Sequence, residues 1–172
     1  RFKSEAQRLA NFRSSNDNLT VEVVTTDEIY NEFSSGRQDI SAIRDFVRFL
    51  YSGSGNLRYV LLFGDGSFDY KKRTIIDTNF VLIYEARNSL HPIFSYSSDD
   101  YFAILDDDEG FWEESEAGDH LLDLGVGRLP IKTLKEAEIV VDKLIDYATN
   151  ESSLGSWRNE LVFVADDGDF NI

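Results

Sequence analysis

The segment Tyr59–Lys71, YVLLFGDGSFDYK, decides the fold that the sequence predicts. Its first five residues are apolar, which is long enough for a strand buried on both faces, as in parallel sheets. Gly64 ends this strand and places Asp65 at its carboxyl end, the edge where open parallel α/β sheets bind ligands. We therefore look for function at this edge.

Two later segments repeat this layout of strand and acid. DLGVGRLP, residues 123–130, begins with Asp123, and ELVFVADDGD, residues 160–169, carries Asp166 and Asp167. Because parallel strands align their ends, we expect these acids to gather with the aspartate of the first segment. The sequence thus predicts an acidic edge on one sheet.

Helix signals surround these strands. Helical spacing and capping residues predict four helices, which begin near Phe2, after Thr25 or Thr26, after Asp39 or Ser41, and at a Thr133–Glu136 capping box. Further candidate strands are Leu19–Thr26, Phe80–Tyr84, Tyr101–Leu105 and Leu161–Ala165. The predicted fold class is α/β, with a mainly parallel sheet flanked by helices.

Composition excludes several classes of protein. The formal net charge of −15 argues against nucleic acid and against anionic membrane surfaces, because both need Lys and Arg. The apolar runs are of strand length, which predicts no membrane span. The 172 residues hold no cysteine, so they offer no disulfide, thiolate metal ligand or cysteine nucleophile, a composition compatible with an exported bacterial protein.

The two ends of the sequence predict a piece of a longer protein. The chain begins at Arg1 without a signal peptide, and it stops at Ile172 directly after a strand and an acidic turn. The unit lacks the helix that should complete it. We expect the rest of the domain to follow.

An acidic block suggests a cation site. Eleven acids and no Lys or Arg lie between Asp99 and Asp123. Calcium binds six to eight oxygens in flexible geometry, so Asp65 could share such a site with these loop acids, namely Asp106, Asp107, Asp108 and Asp123. The alternative is structural, because a charge run is usually solvated and a strand-end aspartate often bonds local amides.

Other candidate chemistry is sparse. Asp166 or Asp167 could orient a histidine, as the acid of a nucleophile–base–acid set does, or could cap a following helix. The only histidines, His91 and His120, lie in predicted loops without a second ligand at metal spacing, which favours surface positions. No dinucleotide fingerprint, phosphate loop or nucleophile elbow is present.

Six segments together resemble the gingipain-type cysteine peptidases, which have a caspase-like fold. They occur in the order that the family has and span almost the whole chain. They are AQRLANFR (6–13), TTDEIYNEFSSGRQDISAIRDFVRFLY (25–51), YVLLFGDGSFDYK (59–71), SSDDYFAILDDDEG (97–110), DLGVGRLPIKTLKEAEIVVDKLIDYAT (123–149) and SWRNELVFVADDGD (156–169). The segment EIYNEFSSG with the aspartate-rich turn is most similar to the branch of type IX secretion signal peptidases, or sortases.

This resemblance implies a function. Residues 1–172 would be the amino-terminal subdomain of a cysteine peptidase domain at the bacterial cell surface, which removes C-terminal sorting signals from secreted cargo. The implied partners are peptide substrates, the remaining catalytic subdomain and other secretion-system components. The family places its His-Gly motif and its cysteine downstream, so the chain by itself should be inert.

The resemblance also implies roles for single residues. Asp167, or Asp166 with a shift of one residue, would orient the catalytic histidine. Calcium would be held by Asp65, by a residue of the loop and by Asp123. An insertion, residues 109–120, leaves the choice among Asp106, Asp107 and Asp108 open.

Two rival hypotheses come from other classes. The first is a non-catalytic calcium-binding or scaffold module of α/β fold, which a functional downstream cysteine would exclude. The second is a receiver-like domain that is phosphorylated on Asp65. The order of its acids is reversed relative to receiver domains, and no strand-end lysine stands opposite.

Overall fold

The fold is that of a computed structural model, which describes residues 1–71, 73, 78–86, 95–107, 109 and 121–164. The described helices are α1 (Lys3–Asp17), α2 (Thr26–Phe33), α3 (Ile40–Ser54) and α4 (Leu134–Thr149). The described strands are β1 (Tyr59–Phe63), β2 (Tyr84–Glu85), β3 (Ser97–Ser98) and β4 (Gly125–Leu129). Helices cover a parallel strand pair, which confirms the predicted α/β class.

The parallel pair joins β1 to β4. Tyr59 pairs with Gly125 and Phe63 with Leu129, so the two strands run level from end to end. Burial is less complete than the apolar sequence of β1 predicts. Tyr59 is 68% exposed and Leu61 48% exposed, so β1 is not buried on both faces within the described structure.

The second strand pair is short and antiparallel. Tyr84 pairs with Ser98 and Glu85 with Ser97. The Tyr84 ring stacks on that of Tyr101, with centroids 4.7 Å apart. This pair packs into the main core through Tyr84, which is buried.

The helices begin where the capping residues predict. The Thr25 hydroxyl accepts the Glu28 N–H, and the Glu28 carboxylate accepts the Thr25 N–H in return, which forms a capping box for α2. Asp39 caps α3, and Thr133 caps α4 by accepting the Glu136 N–H at 3.1 Å. At the start of α4, the Glu136 carboxylate accepts the N–H of Lys132, the residue before Thr133, so it does not mirror the reciprocal bond at α2.

Apolar residues pack on both sides of the parallel pair. The α2–α3 side includes Val60 and Leu62 of β1 with Val126 of β4. The other side joins residues of β1, β4 and α4 with residues just outside these elements, namely Phe2, Phe63, Phe80, Leu129, Ile131 and Ala137. Helices α1 and α4 contact each other, and the fold therefore has helix, sheet and helix layers.

Three predicted strands are wrong within the described residues. Leu19–Thr26 forms no strand, although its β-branched residues favour one, because no described strand pairs with it and α2 already begins at Thr26. Tyr101–Leu105 is fully buried but starts in a 3₁₀ turn, in which Asp100 O accepts the Ala103 N–H. Leu161–Val164 has no strand partner and is between 84% and 94% exposed.

The predicted strand at Phe80–Tyr84 is mostly absent, since only Tyr84 belongs to a strand. Residues 80–83 instead pack across the end of β1, where Asp65 O accepts the N–H groups of Phe80 and Val81. None of the described helices has the length and apolarity required to cross a membrane.

Candidate functional site

The turn after β1 is shaped by two glycines. Gly64 has φ +152°, and a Cβ there would lie 3.0 Å from Phe80 Cβ. A Cβ on Gly66 would lie 3.0 Å from the carbonyl oxygen of Val81 and 3.1 Å from Arg128 Nη1. A Cβ at either position would be closer to its neighbours than ordinary packing allows. The two glycines therefore let residues 80–83 cross closely over the end of β1.

Asp65 lies between these glycines, at the carboxyl end of β1 as predicted. Its N–H donates to Ile131 O at 3.0 Å, and its carbonyl accepts from Phe80 and Val81 at 2.9 and 3.1 Å. Its carboxylate is mostly buried and lies 3.5 Å from Lys132 Nζ. The backbone of Asp65 is therefore fixed from two directions.

Arg128 of β4 joins the elements at this end of the sheet. Its Nη1 donates to the carbonyls of Gly64 and Val81 at 2.9 and 2.8 Å. Its Nη2 donates to Leu82 O at 2.9 Å and to Asp99 Oδ1 at 2.7 Å, and its Nε donates to Asp99 Oδ2 at 2.8 Å. All five N–H donors of the guanidinium are thus used.

Asn79 and Ser67 close the rest of the turn. The Ser67 N–H donates to Asn79 Oδ1 at 3.3 Å, and the Asp69 N–H donates to Ser67 Oγ at 3.1 Å. Asn79 and Asp69 are both buried. These bonds support the structural interpretation of the GDGSFD segment, in which polar side chains bond local amides in place of water.

Asp123 and Asp106 lie together in another part of the fold. Asp123 Oδ2 accepts the Leu105 N–H at 2.7 Å, which places it beside Asp106. From α3, the buried Arg44 donates to Ile104 O at 2.8 Å and to Asp106 O at 3.3 Å. A second α3 residue, Arg48, forms an ion pair with Asp107. The start of the acidic loop is therefore tied to α3.

The strand register separates the predicted calcium ligands. Asp123 precedes the amino end of β4, whereas Asp65 follows the carboxyl end of β1, and the two strands are level. At about 3.3 Å per residue, the paired strands alone put about 13 Å between them. Carboxylate oxygens on one calcium lie within about 5 Å of each other, so the strand register keeps Asp65 and Asp123 too far apart to bind one ion together.

No described group of three or more His, Asp or Glu side chains could hold a metal. Asp108, one of the predicted ligands, lies outside the described residues. Calcium binding itself stays a prediction, and the geometry divides its candidate ligands between two ends of the sheet.

The predicted catalytic acids, Asp166 and Asp167, lie outside the described residues, as do His91 and His120. The chain leading to these acids is described up to Val164. Arg158 anchors its start by donating to Tyr147 O at 2.5 Å and to Ser153 O at 3.1 Å. The exposed apolar segment Leu161–Val164 therefore follows a turn that Arg158 ties to the end of α4.

Sequence reasoning missed the pairing of Arg128 with Asp99 and the buried Arg44. The sequence did contain a signal for the Arg128 pair, because an arginine inside the apolar strand GVGRL needs partners for its charge. Nothing in the sequence identifies those partners as three backbone carbonyls and Asp99. The geometry shows a sheet end at which Asp65 lies between Lys132, the residue Ile131 that follows β4, and the crossing segment 80–83.

Comparison with known proteins was consistent with this fold. The sequence model of peptidase family C25 matches residues 1–172. No curated protein matches the chain. A solved structure, dimeric latent PorU from Porphyromonas gingivalis, is similar with 33% identity and a TM-score of 0.68 over 93% of the chain. The chain spans 16% of that protein.

Proposed function

Because the chain belongs to peptidase family C25, we propose that it is the supporting part of a type IX secretion cysteine endopeptidase. The proposed parent is a sortase, or signal peptidase, at the bacterial cell surface or outer membrane, where it removes C-terminal sorting signals from secreted cargo. The family match over the whole chain, together with the PorU-like fold, is the observation that carries this proposal.

The proposed division of labour rests on what the sequence contains. A cysteine peptidase needs a thiolate nucleophile, and none of the 172 residues is a cysteine. We place the nucleophile and its histidine base in a catalytic subdomain that follows this chain. By itself, the chain should not cleave peptides.

In the proposed mechanism the histidine takes the thiol proton, and the thiolate attacks the scissile carbonyl. The peptide C–N bond then breaks, the histidine returns the proton to the leaving amine, and a thioester remains. Water or a second amine then attacks the thioester and releases the thiol. The two choices correspond to hydrolysis and to transpeptidation.

We assign the orienting acid of this mechanism to Asp167, or to Asp166 with a shift of one residue. A carboxylate bonded to the imidazole fixes its tautomer and stabilises the imidazolium that forms as the thiol loses its proton. The resemblance of the segment SWRNELVFVADDGD, residues 156–169, to the family supports this assignment.

The test compares Asp166→Asn and Asp167→Asn in the intact protein, with Asp146→Asn on the exposed face of α4 as the control. We expect one of the first two variants to lower kcat by about 100-fold with little change in KM, because the acid acts on proton transfer. Unchanged kcat in both would contradict the assigned role.

A further inference from the structure

The segment Leu19–Val24 connects α1 to α2 with its backbone unpaired. None of its residues forms a hydrogen bond with any residue that the structure describes. Its valines and its threonine favour a strand, and strands bind their neighbours through backbone N–H and C=O groups. These groups are therefore available to a strand of another molecule.

The fold holds this segment at both ends. At its start, Asn18 ends α1 in the left-handed conformation, and at its end, Thr25 is extended and forms the capping box of α2. Val24 packs against the core on the α2–α3 side. Of the described non-glycine residues, only Asn18 and Ser35 have positive φ, so residues 19–25 can all lie in the β region. Because its ends are held, the segment loses less conformational entropy on pairing than a free tail would.

The side chains of the segment are accessible to a partner. Leu19 is 37% exposed and Val21 36% exposed, although both are apolar. Thr20 and Glu22 are exposed as well, whereas Val23 is half-buried. Alternate side chains of a strand point to opposite faces, so a paired segment has Leu19, Val21 and Val23 on one face and Glu22 on the other. A partner strand would therefore meet an apolar face and an acidic face.

Charge indicates which kind of partner fits. Glu22 has no ion-pair partner among the described residues, and Arg13, the nearest cation in sequence, pairs with Asp17. A lysine or arginine opposite a glutamate stabilises a pair of strands. The formal net charge of −15 attracts a basic segment and repels a second copy of the chain. The charge of the chain therefore favours a basic partner over self-association.

We propose that Leu19–Val24 binds an extended basic segment of a protein partner, which pairs with it as an added strand. Backbone hydrogen bonds supply the affinity, apolar side chains of the partner pack beside Val21, and a basic side chain pairs with Glu22. The proposal accounts for a strand-like sequence that has no strand partner within the described structure. It needs no peptidase activity, so its test is independent of the function proposed above.

The experiment titrates the isotope-labelled chain with a short peptide that alternates valine and lysine, and follows the backbone amide signals by nuclear magnetic resonance. A control peptide has the same side chains, but every backbone N–H is methylated and cannot donate. We expect saturable millimolar binding of the first peptide, with the largest signal shifts in residues 19–24. The methylated peptide should bind about tenfold more weakly, because its backbone hydrogen bonds are lost.

A charge reversal locates the site. Glu22→Lys should weaken binding of the lysine peptide about fivefold and strengthen binding of a peptide that alternates valine and glutamate. Glu32→Lys makes the same change of charge at an exposed position of α2 and should bind as the wild type does. Equal affinity for the methylated peptide, unchanged binding by E22K, or the largest shifts outside residues 19–24 would overturn the proposal. Self-association through this segment, or no saturable binding at millimolar concentrations, would overturn it as well.

Discussion

Arg128 and Asp99 form a bidentate ion pair, with Nε and Nη2 of the arginine 2.8 and 2.7 Å from the two carboxylate oxygens. Both side chains are largely buried, at 9% and 19% exposure. The remaining donors of the guanidinium bind carbonyls of Gly64, Val81 and Leu82. One side chain thus joins β4 to the end of β1 and to the segment that crosses it.

Replacement of Arg128 by lysine should destabilise the fold. An ammonium group carries the charge but lacks the fork that meets Asp99 and three carbonyls together. We expect a loss of about 3 kcal/mol in the free energy of unfolding, measured by denaturant titration. Arg13→Lys, at the more exposed pair with Asp17, should change it by less than about 0.5 kcal/mol. Equal losses in the two variants would contradict the role of Arg128.

A methyl group should be tolerated at one glycine and not at another. Gly66→Ala places a Cβ 3.0 Å from Val81 O, and we expect a loss of about 1 to 3 kcal/mol, since backbone must shift. Gly127→Ala is the matched control, because no atom lies within 4 Å of its new Cβ. Denaturant titration of both variants measures the difference. A Gly66→Ala protein as stable as Gly127→Ala would disprove the close crossing.

The capping box of α2 should make stability depend on acid pH. Hydrogen bonds from Thr25 lower the pKa of Glu28 from its ordinary 4.5 to about 2. Because the folded pKa lies below the unfolded one, this contribution is present above pH 4.5 and is lost as the pH falls towards 2. The Tm of the wild type should therefore fall more steeply over this range than that of Glu28→Gln. Parallel curves would contradict the box, and Glu22→Gln serves as an exposed control.

Glu85 should have the opposite dependence on pH. Burial raises the pKa of its carboxyl, so the folded state holds this proton more tightly than the unfolded state does. Stability contributed by the protonated acid is then lost as the pH rises through the unfolded pKa towards the folded one. We expect Glu85→Gln to have a higher Tm than the wild type at pH 7 and a similar one at pH 4. A lower Tm at pH 7 would show that the carboxylate has a stabilising partner.

The separation of Asp65 from Asp123 can be tested with a double-mutant cycle. Asp65→Asn and Asp123→Asn should add in the free energy of unfolding to within about 0.5 kcal/mol, both with calcium and with a chelator, because the strand register holds the two residues apart. Single-variant melts in calcium and in chelator form the other sides of the cycle. A larger coupling that appears only with calcium would place both aspartates on one ion.

The sequence predicted the elements whose signals are local. The apolar run of β1, the Thr25 and Asp39 caps and the apolar stripe of α4 each specify one element within a few residues. The strand assignment at Leu161–Val164 failed in the described structure because a strand also needs a partner, which a local pattern does not supply.

The candidate site was less predictable than the helices. Strand order along the chain correctly placed Asp65 at a carboxyl end, but Asp123 precedes its strand and so lies at the amino end. That distinction can be read from the sequence once β4 is known to begin at Gly125. The contacts of Arg128 were not predictable, because they depend on a carboxylate 29 residues away and on carbonyls 46 to 64 residues away in the chain.

The most direct test of the central claim is a cleavage assay with cargo that carries a C-terminal sorting domain. The intact protein that contains this chain should remove the domain, and alkylation of cysteine should abolish the activity. The 172-residue chain alone should release nothing under the same conditions. Cleavage by the chain alone, or activity of the intact protein that survives complete alkylation, would contradict the account.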